Sequence, residues 1–348
     1  MYLLRFAPAA ALTLALASCG GGGDTTPNGP DAAPDATFTT GTYTATWGPY
    51  TIPPGEEGTK CVYVKLGNTD NIQVHEIHNS LGPASHHFIV YRKATGDVNT
   101  TPTDCQPFTG TLDPANGAPL MITQRADETL TLPDDVVFTL KPDQLIRLEL
   151  HYINTSDQPQ SVTATAEFRT VLNATQEADF IFAGTPDIDL PPGPQVQTVG
   201  PTYLPLAGFG GAHVFAITGH THARGKSVTV STATSATDLG TQVYGPASFN
   251  WDEPETTYHT PAFQIPADGG FRFTCTYVND TGQRIQFGEG VADEMCFFWL
   301  YYYPSQGPKV CAHSNQFNQP NGIDVCCPAA EGDVVSAAAC RYLQNAKR

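Results

Sequence analysis

Positive charge is scarce in this chain: 17 Lys+Arg stand against 34 Asp+Glu, a formal net charge of −17. Such a surface repels phosphate backbones, so the expectation is no nucleic-acid partner. Methionine is scarcer still, at three residues, Met1, Met121 and Met295. No CxxC pair occurs among the nine cysteines, which argues against a zinc ribbon or a thioredoxin-like redox site. Past residue 19 no stretch is apolar enough to cross a bilayer as a helix. Helical periodicity is also missing until the last segment, where Val334–Leu343 reads as one short helix.

What is present begins with an export signal. Arg5 supplies a positive start, and Phe6 to Ala17 form an apolar run too short for a membrane span, as in a signal peptide. The run ends in Leu16-Ala17-Ser18-Cys19, which resembles the lipobox of bacterial lipoproteins. That resemblance implies cleavage before Cys19 and lipidation of it, giving an exported chain held to a membrane by a lipid anchor only. Gly20 stands where an aspartate would resemble an inner-membrane retention signal, so the outer membrane is the expected location. Residues 20–40 are mostly Gly, Asp, Pro, Ala and Thr and read as a flexible tether. The cysteines beyond Cys19 form an even set, which in an exported protein suggests disulfides whose pairing spacing alone does not fix.

From residue 41 onward, short runs of Val, Ile, Thr, Phe and Tyr alternate with Pro, Gly, Asn and Asp clusters. This pattern predicts an all-β chain of two tandem jelly-roll-like antiparallel β-sandwich domains. Their expected spans are residues 41–175 and 176–304. Residues 305–348, with Cys311, Cys326, Cys327 and Cys340, read as a Cys-rich C-terminal extension with few strand signals.

Histidines meet strands in three places. His86 and His87 are adjacent, so on a regular strand they point apart, and they share an ion only at a strand end or bulge. Pro83 just upstream is compatible with such an irregular start. Taken alone, the pair fits a structural role as well. His151 closes Leu145–Tyr152, where Arg147, Glu149 and His151 alternate with Ile146, Leu148 and Leu150. The expectation is a half-buried strand with His151 on its polar face. In Ala212–His222, the His220-x-His222 spacing puts two imidazoles on one strand face, continued by Val214, Ala216 and Thr218, with His213 on the other face as a core residue. Such ligands suit zinc or copper equally, and a nearby thioether would favour copper. Met295 lies in Asp293-Glu294-Met295-Cys296 ahead of an aromatic run that by itself reads as core.

Together and in this order, these segments resemble the copper type II ascorbate-dependent monooxygenases, the family of peptidylglycine α-hydroxylating monooxygenase and dopamine β-hydroxylase. The resemblance covers about residues 41 to 304. It implies two coppers per chain, one held by His86, His87 and His151 for electron storage. The other, held by His220, His222 and Met295, is the catalytic site where dioxygen and substrate react. It further implies ascorbate or a similar reductant as co-substrate, a small-molecule substrate, and disulfides Cys61–Cys105 and Cys275–Cys296. Two departures stand out. Thr218 occupies the position of an arginine that binds the substrate carboxylate in peptide-amidating members, and a hydroxyl cannot make that bidentate pair. Trp299 stands near where a substrate-contacting tyrosine is expected. A small apolar or aromatic substrate fits better than a peptidylglycine. A non-catalytic copper-binding or relay lipoprotein would keep the same ligands and is the alternative.

Overall fold

The computed structural model describes residues 38–105, 117–316, 322–329 and 337–341. Cys19, the expected signal segment and most of the expected tether lie outside them, as does much of the expected C-terminal helix, of which residues 337–341 are helical. The fold is all-β sandwich, and the described residues fall in one compact unit.

Two pairs of sheets follow one another along the chain. In the first pair, one sheet is ordered Thr42–Ile52, Gln160–Val171, Ile72–Leu81, Val136–Leu140 and Gln176–Glu177, with Asp127–Thr131 also on Ile72–Leu81. Its companion is ordered Asn99–Asp104, Glu57–Lys65, Leu145–Ile153, Ser85–Lys93 and Ala118–Thr123. In the second pair, one sheet runs Thr257–Gln264, His213–His220, Cys296–Tyr303, Asp179–Thr185, Lys309–Ser314 and Ile323–Cys327. The other runs Gly193–Pro205, Gly270–Asn279, Gly225–Ala233 and Thr241–Tyr244.

The segment after 304 is therefore more than a stapled appendage. Lys309–Ser314 pairs in parallel with Asp179–Thr185, and Ile323–Cys327 pairs beyond it. Val310, Cys311, Ala312 and Val325 are buried there, against a sheet most of whose other strands are distant in sequence, which short local signals do not reveal. Disulfides join Cys311 to Cys326 and Cys327 to Cys340. Earlier in the chain they join Cys61 to Cys105 and Cys275 to Cys296.

Two inner sheets face each other across the halves, and this decides where the polar residues go. Leu145–Ile153 is buried at every position but the last. Its polar face, Arg147, Glu149 and His151, is thus buried rather than in solvent as expected, and His151 opens on a cavity shared with the second half. Asp179–Thr185 is likewise buried throughout. Phe180 and Phe182 pack in the first half's core cluster, while Ile181 and Ala183 pack in the second. Burial on both faces explains why Phe180–Ala183 reads as a continuous apolar run.

Candidate metal centre

Each histidine is placed by a local irregularity or a strand end. His86 is the extra residue of a bulge: the pairing of Ser85–Lys93 with Leu145–Ile153 shifts between Ser85 and His87. Ala84, just before it, takes the left-handed backbone at φ 64°. The bulge turns two adjacent imidazoles toward one point. His87 then sits directly opposite His151. Nδ1 of His151 lies 3.2 Å from Nε2 of His87. Two nitrogens bound about 2 Å from one ion at a near-tetrahedral angle sit about 3.3 Å apart, so this pair is spaced as ligands are. One nitrogen from each of His86, His87 and His151 falls within a group whose members all lie within 4.8 Å of one another.

Charge and hydrogen bonding favour a cation there. His86 Nδ1 and Nε2 and His87 Nδ1 are buried without a hydrogen-bond partner, an arrangement that costs free energy unless something binds. Burial pushes the His86 imidazole down to about 3, helped by the neighbouring His151 and His222. Burial likewise holds His87 well below its ordinary value. Neutral rings keep the lone pairs that a metal needs. His151 Nε2 is 3.1 Å from Glu57 Oε1, the carboxylate–histidine pairing that orients a ligand ring.

The second set forms where His213–His220 ends. His220 is the last strand residue and His222 lies in the following loop, and their rings are 5.2 Å apart at 85°. His220 Nδ1 is 2.8 Å from Gln124 Oε1, and His222 Nδ1 is 3.2 Å from the Asp293 carbonyl. Those bonds occupy the Nδ1 atoms and leave Nε2 as the nitrogen for an ion. Burial pushes His222 down to about 4 and holds His220 well below its usual value. Glu294 accepts hydrogen bonds from the backbone N–H of His222 at 2.8 Å and of Arg224 at 2.6 Å. This ties the His222 loop to the residue beside Met295. Tyr277 donates to the Met295 carbonyl at 2.7 Å, and the Cys275–Cys296 bond fixes the next residue.

The face assignment within His213–His220 needs correction. A bulge between Val214 and Ala216 puts Val214 and Ile217 in the second half's own core, while Phe215 and Ala216 join the other cluster. Val214 therefore does not share the face of His220. His213 stacks on Tyr303 at 5.2 Å instead of entering the core. One extra residue inverts the alternation, and nothing in the local sequence marks it.

His87, His151, His220, His222 and Met295 all line one cavity of about 40 Å³. Ile89, Ile122, Phe182 and Trp299 supply its apolar wall. Several partners of the histidines come from the opposite half and were not foreseen from the sequence. Gln124, which holds His220, belongs to the first half. Asp252 Oδ1, from the second, is 3.6 Å from His86 Nε2, and the Trp251 ring is 5.7 Å from that of His86. Glu57 also accepts the backbone N–H of Val291 at 3.2 Å. The donors that line this cavity, imidazoles together with one thioether, fit copper.

Residues 201–321 match the family model for the copper type II ascorbate-dependent monooxygenase, C-terminal domain. That segment is similar to the family's C-terminal domain. The matched segment contains His220, His222 and Met295 and runs past residue 304 through the added strand Lys309–Ser314, ending before Ile323–Cys327. His86, His87 and His151 lie before it. No curated protein matches the chain. Among solved structures, the major capsid protein P2 from bacteriophage PM2 is similar at 10% identity, covering 76% of this chain and 98% of that one, with a TM-score of 0.35. A fucolectin from striped bass serum is similar at 9% identity over 72% of this chain and 84% of that one, with a TM-score of 0.18. Likeness at that level carries no argument about the chemistry of the site.

Proposed function

We propose that this protein hydroxylates a C–H bond of a small, mainly apolar substrate with dioxygen and an ascorbate-like one-electron reductant. In this reading His86, His87 and His151 hold an electron-supplying copper, and His220, His222 and Met295 hold the oxygen-reactive one. The observation that carries it is the single cavity onto which His87 and His151 open from one side and His220, His222 and Met295 from the other. Copper bound there would supply one-electron chemistry and an open position for dioxygen. The rest falls to the chain's own groups. Gln124 and the Asp293 carbonyl orient the two imidazoles, and Glu294 fixes the loop that brings His222 to Met295. Ile89, Ile122, Phe182 and Trp299 exclude water and give an apolar substrate a surface to bury.

Thr218 supports the choice of substrate class. Its hydroxyl is 2.9 Å from that of Thr256, which donates to Glu128 at 2.8 Å. A substrate carboxylate placed near Thr218 would meet a hydroxyl chain ending in an acid, with no guanidinium to pair with. The same reading includes two β-sandwich domains and an exported chain anchored through a lipid on Cys19; radiolabelled fatty acid incorporation, abolished by Cys19→Ala, would be the check on the anchor.

The decisive measurement is copper stoichiometry of the purified protein beside Met295→Ala and His151→Ala, with oxygen uptake under ascorbate. Two coppers per chain, with each variant losing or weakening one, and oxygen uptake that rises with substrate are expected. Two coppers without substrate-dependent uptake would instead favour a copper relay. Substoichiometric copper, indifferent to both substitutions, would overturn the ligand assignment.

A further inference from the structure

The strand Cys296–Tyr303 places Phe297, Trp299, Tyr301 and Tyr303 on one face. Trp299 lines the cavity, with its ring 6.1 Å from that of His220. Its indole N–H and the phenol oxygen of Tyr301 interact, short of full hydrogen-bond geometry. The Tyr301 ring is 6.0 Å from Phe215, which is 6.2 Å from Tyr303. Tyr303 is partly exposed and stacks on His213. Trp299 and Tyr301 are buried, each 2% exposed. The path from cavity to surface therefore runs through closely spaced rings, with the oxidisable Trp at its inner end and a Tyr at its outer end. The opposite face of the same strand holds Phe298, Leu300 and Tyr302, packed in ordinary core. Burying aromatic area would explain a Phe or Leu at 299 equally well. It does not explain an indole N–H left without a full partner beside a proposed metal ligand, since buried Trp N–H groups usually find one.

We propose that Trp299, Tyr301 and Tyr303 form an electron-transfer path that drains oxidising equivalents from the cavity when oxygen is activated without substrate. The proposal rests on the monooxygenase reading above. Its chemistry balances. The oxidant, a one-electron oxidising species generated from oxygen or peroxide at the second histidine set, gains one electron from Trp299. Tyr303 refills Trp299 through the rings of Tyr301 and Phe215 and releases its phenolic proton to water. An external one-electron donor of the ascorbate class, with a proton from water, restores the phenol. Without the path, the same oxidant would attack what lies nearest, Met295 and the imidazoles of His220 and His222.

The test uses full-length protein loaded with Cu(II) and treated with hydrogen peroxide without substrate. Wild type is compared with Tyr303→Phe and with Tyr302→Phe on the other face. Freeze-quenched electron paramagnetic resonance should show a tyrosyl radical in wild type and Tyr302→Phe that is lost in Tyr303→Phe. Peptide mass spectrometry should find Met295 sulfoxide and oxidised His220 and His222 severalfold higher in Tyr303→Phe. Copper content should be equal in all three, since Tyr303 touches no proposed ligand. Equal radical signals and equal damage with copper bound at His220 and His222 would overturn the path and leave the monooxygenase reading standing. Failure of that set to hold copper would overturn both.

Discussion

Gln124 has the most leverage of the residues that touch no ion. Its carbonyl oxygen fixes the tautomer of His220, and its amide donates to the Trp251 carbonyl at 3.3 Å. Removing such an outer partner typically weakens metal binding about 10- to 100-fold. Gln124→Ala should therefore lower copper affinity at the second set and leave the first set unchanged, as read by a two-step copper titration. Acid should be costly for the metal-free protein. A histidine whose pKa is lower in the folded than in the unfolded state takes up protons on unfolding. Its stabilising contribution is complete above about pH 6.5 and declines as the pH falls toward the folded value. That value is about 3 for His86 and about 4 for His222. Within this window each such histidine contributes a slope of about 1.4 kcal/mol per pH unit. Denaturant melts of metal-free protein between pH 6.5 and 4.5 should show a steep loss, and His86→Asn should reduce the slope.

At the scale of elements, the strand His213–His220 tolerates little change. Gly219 lies between Thr218 and His220, and a Cβ there would stand 2.7 Å from Val228 and press on the Tyr244 ring. Gly219→Ala should cost about 1–3 kcal/mol by overpacking and should also broaden the copper spectrum of the second set, because His220 shares the displaced backbone. Alternation made the strands legible, and the His-x-His spacing together with the lone downstream Met295 marked the second set. Both bulges were harder to read. At His86 the sequence stated the condition, since adjacent imidazoles converge only at an irregularity. At Phe215 no Gly or Pro signalled one, so Val214 and His213 were assigned to the wrong faces. The polar side of Leu145–Ile153 looked solvent-facing because the residues that share the His151 cavity from the second half, Phe182 onward, come more than twenty residues further along the chain. Gln124, Glu57 and Asp252 were illegible for the same reason, as each acts on a histidine distant in sequence.

Across the whole molecule, the halves supply one another's supports: Gln124 to His220, Asp252 to His86, and Glu57 to both His151 and the Val291 backbone. A ligand bound to the cavity is therefore bound to the docked arrangement. Free copper at about 100 times its dissociation constant should add about 2.7 kcal/mol to stability per site. Calorimetry should show one transition that moves upward with copper, and His151→Ala should remove part of the shift. Two transitions responding separately would mean that the halves stabilise independently.

The scarcity of methionine has a practical consequence. Met121 is locked in the apolar interior of Ala118–Thr123, whereas Met295 faces the histidine-lined cavity. Replacing sulfur by selenium throughout would thus label one inert position and one reactive one among the described residues. A copper–selenium scattering path in X-ray absorption would then report on a single side chain without mutating it.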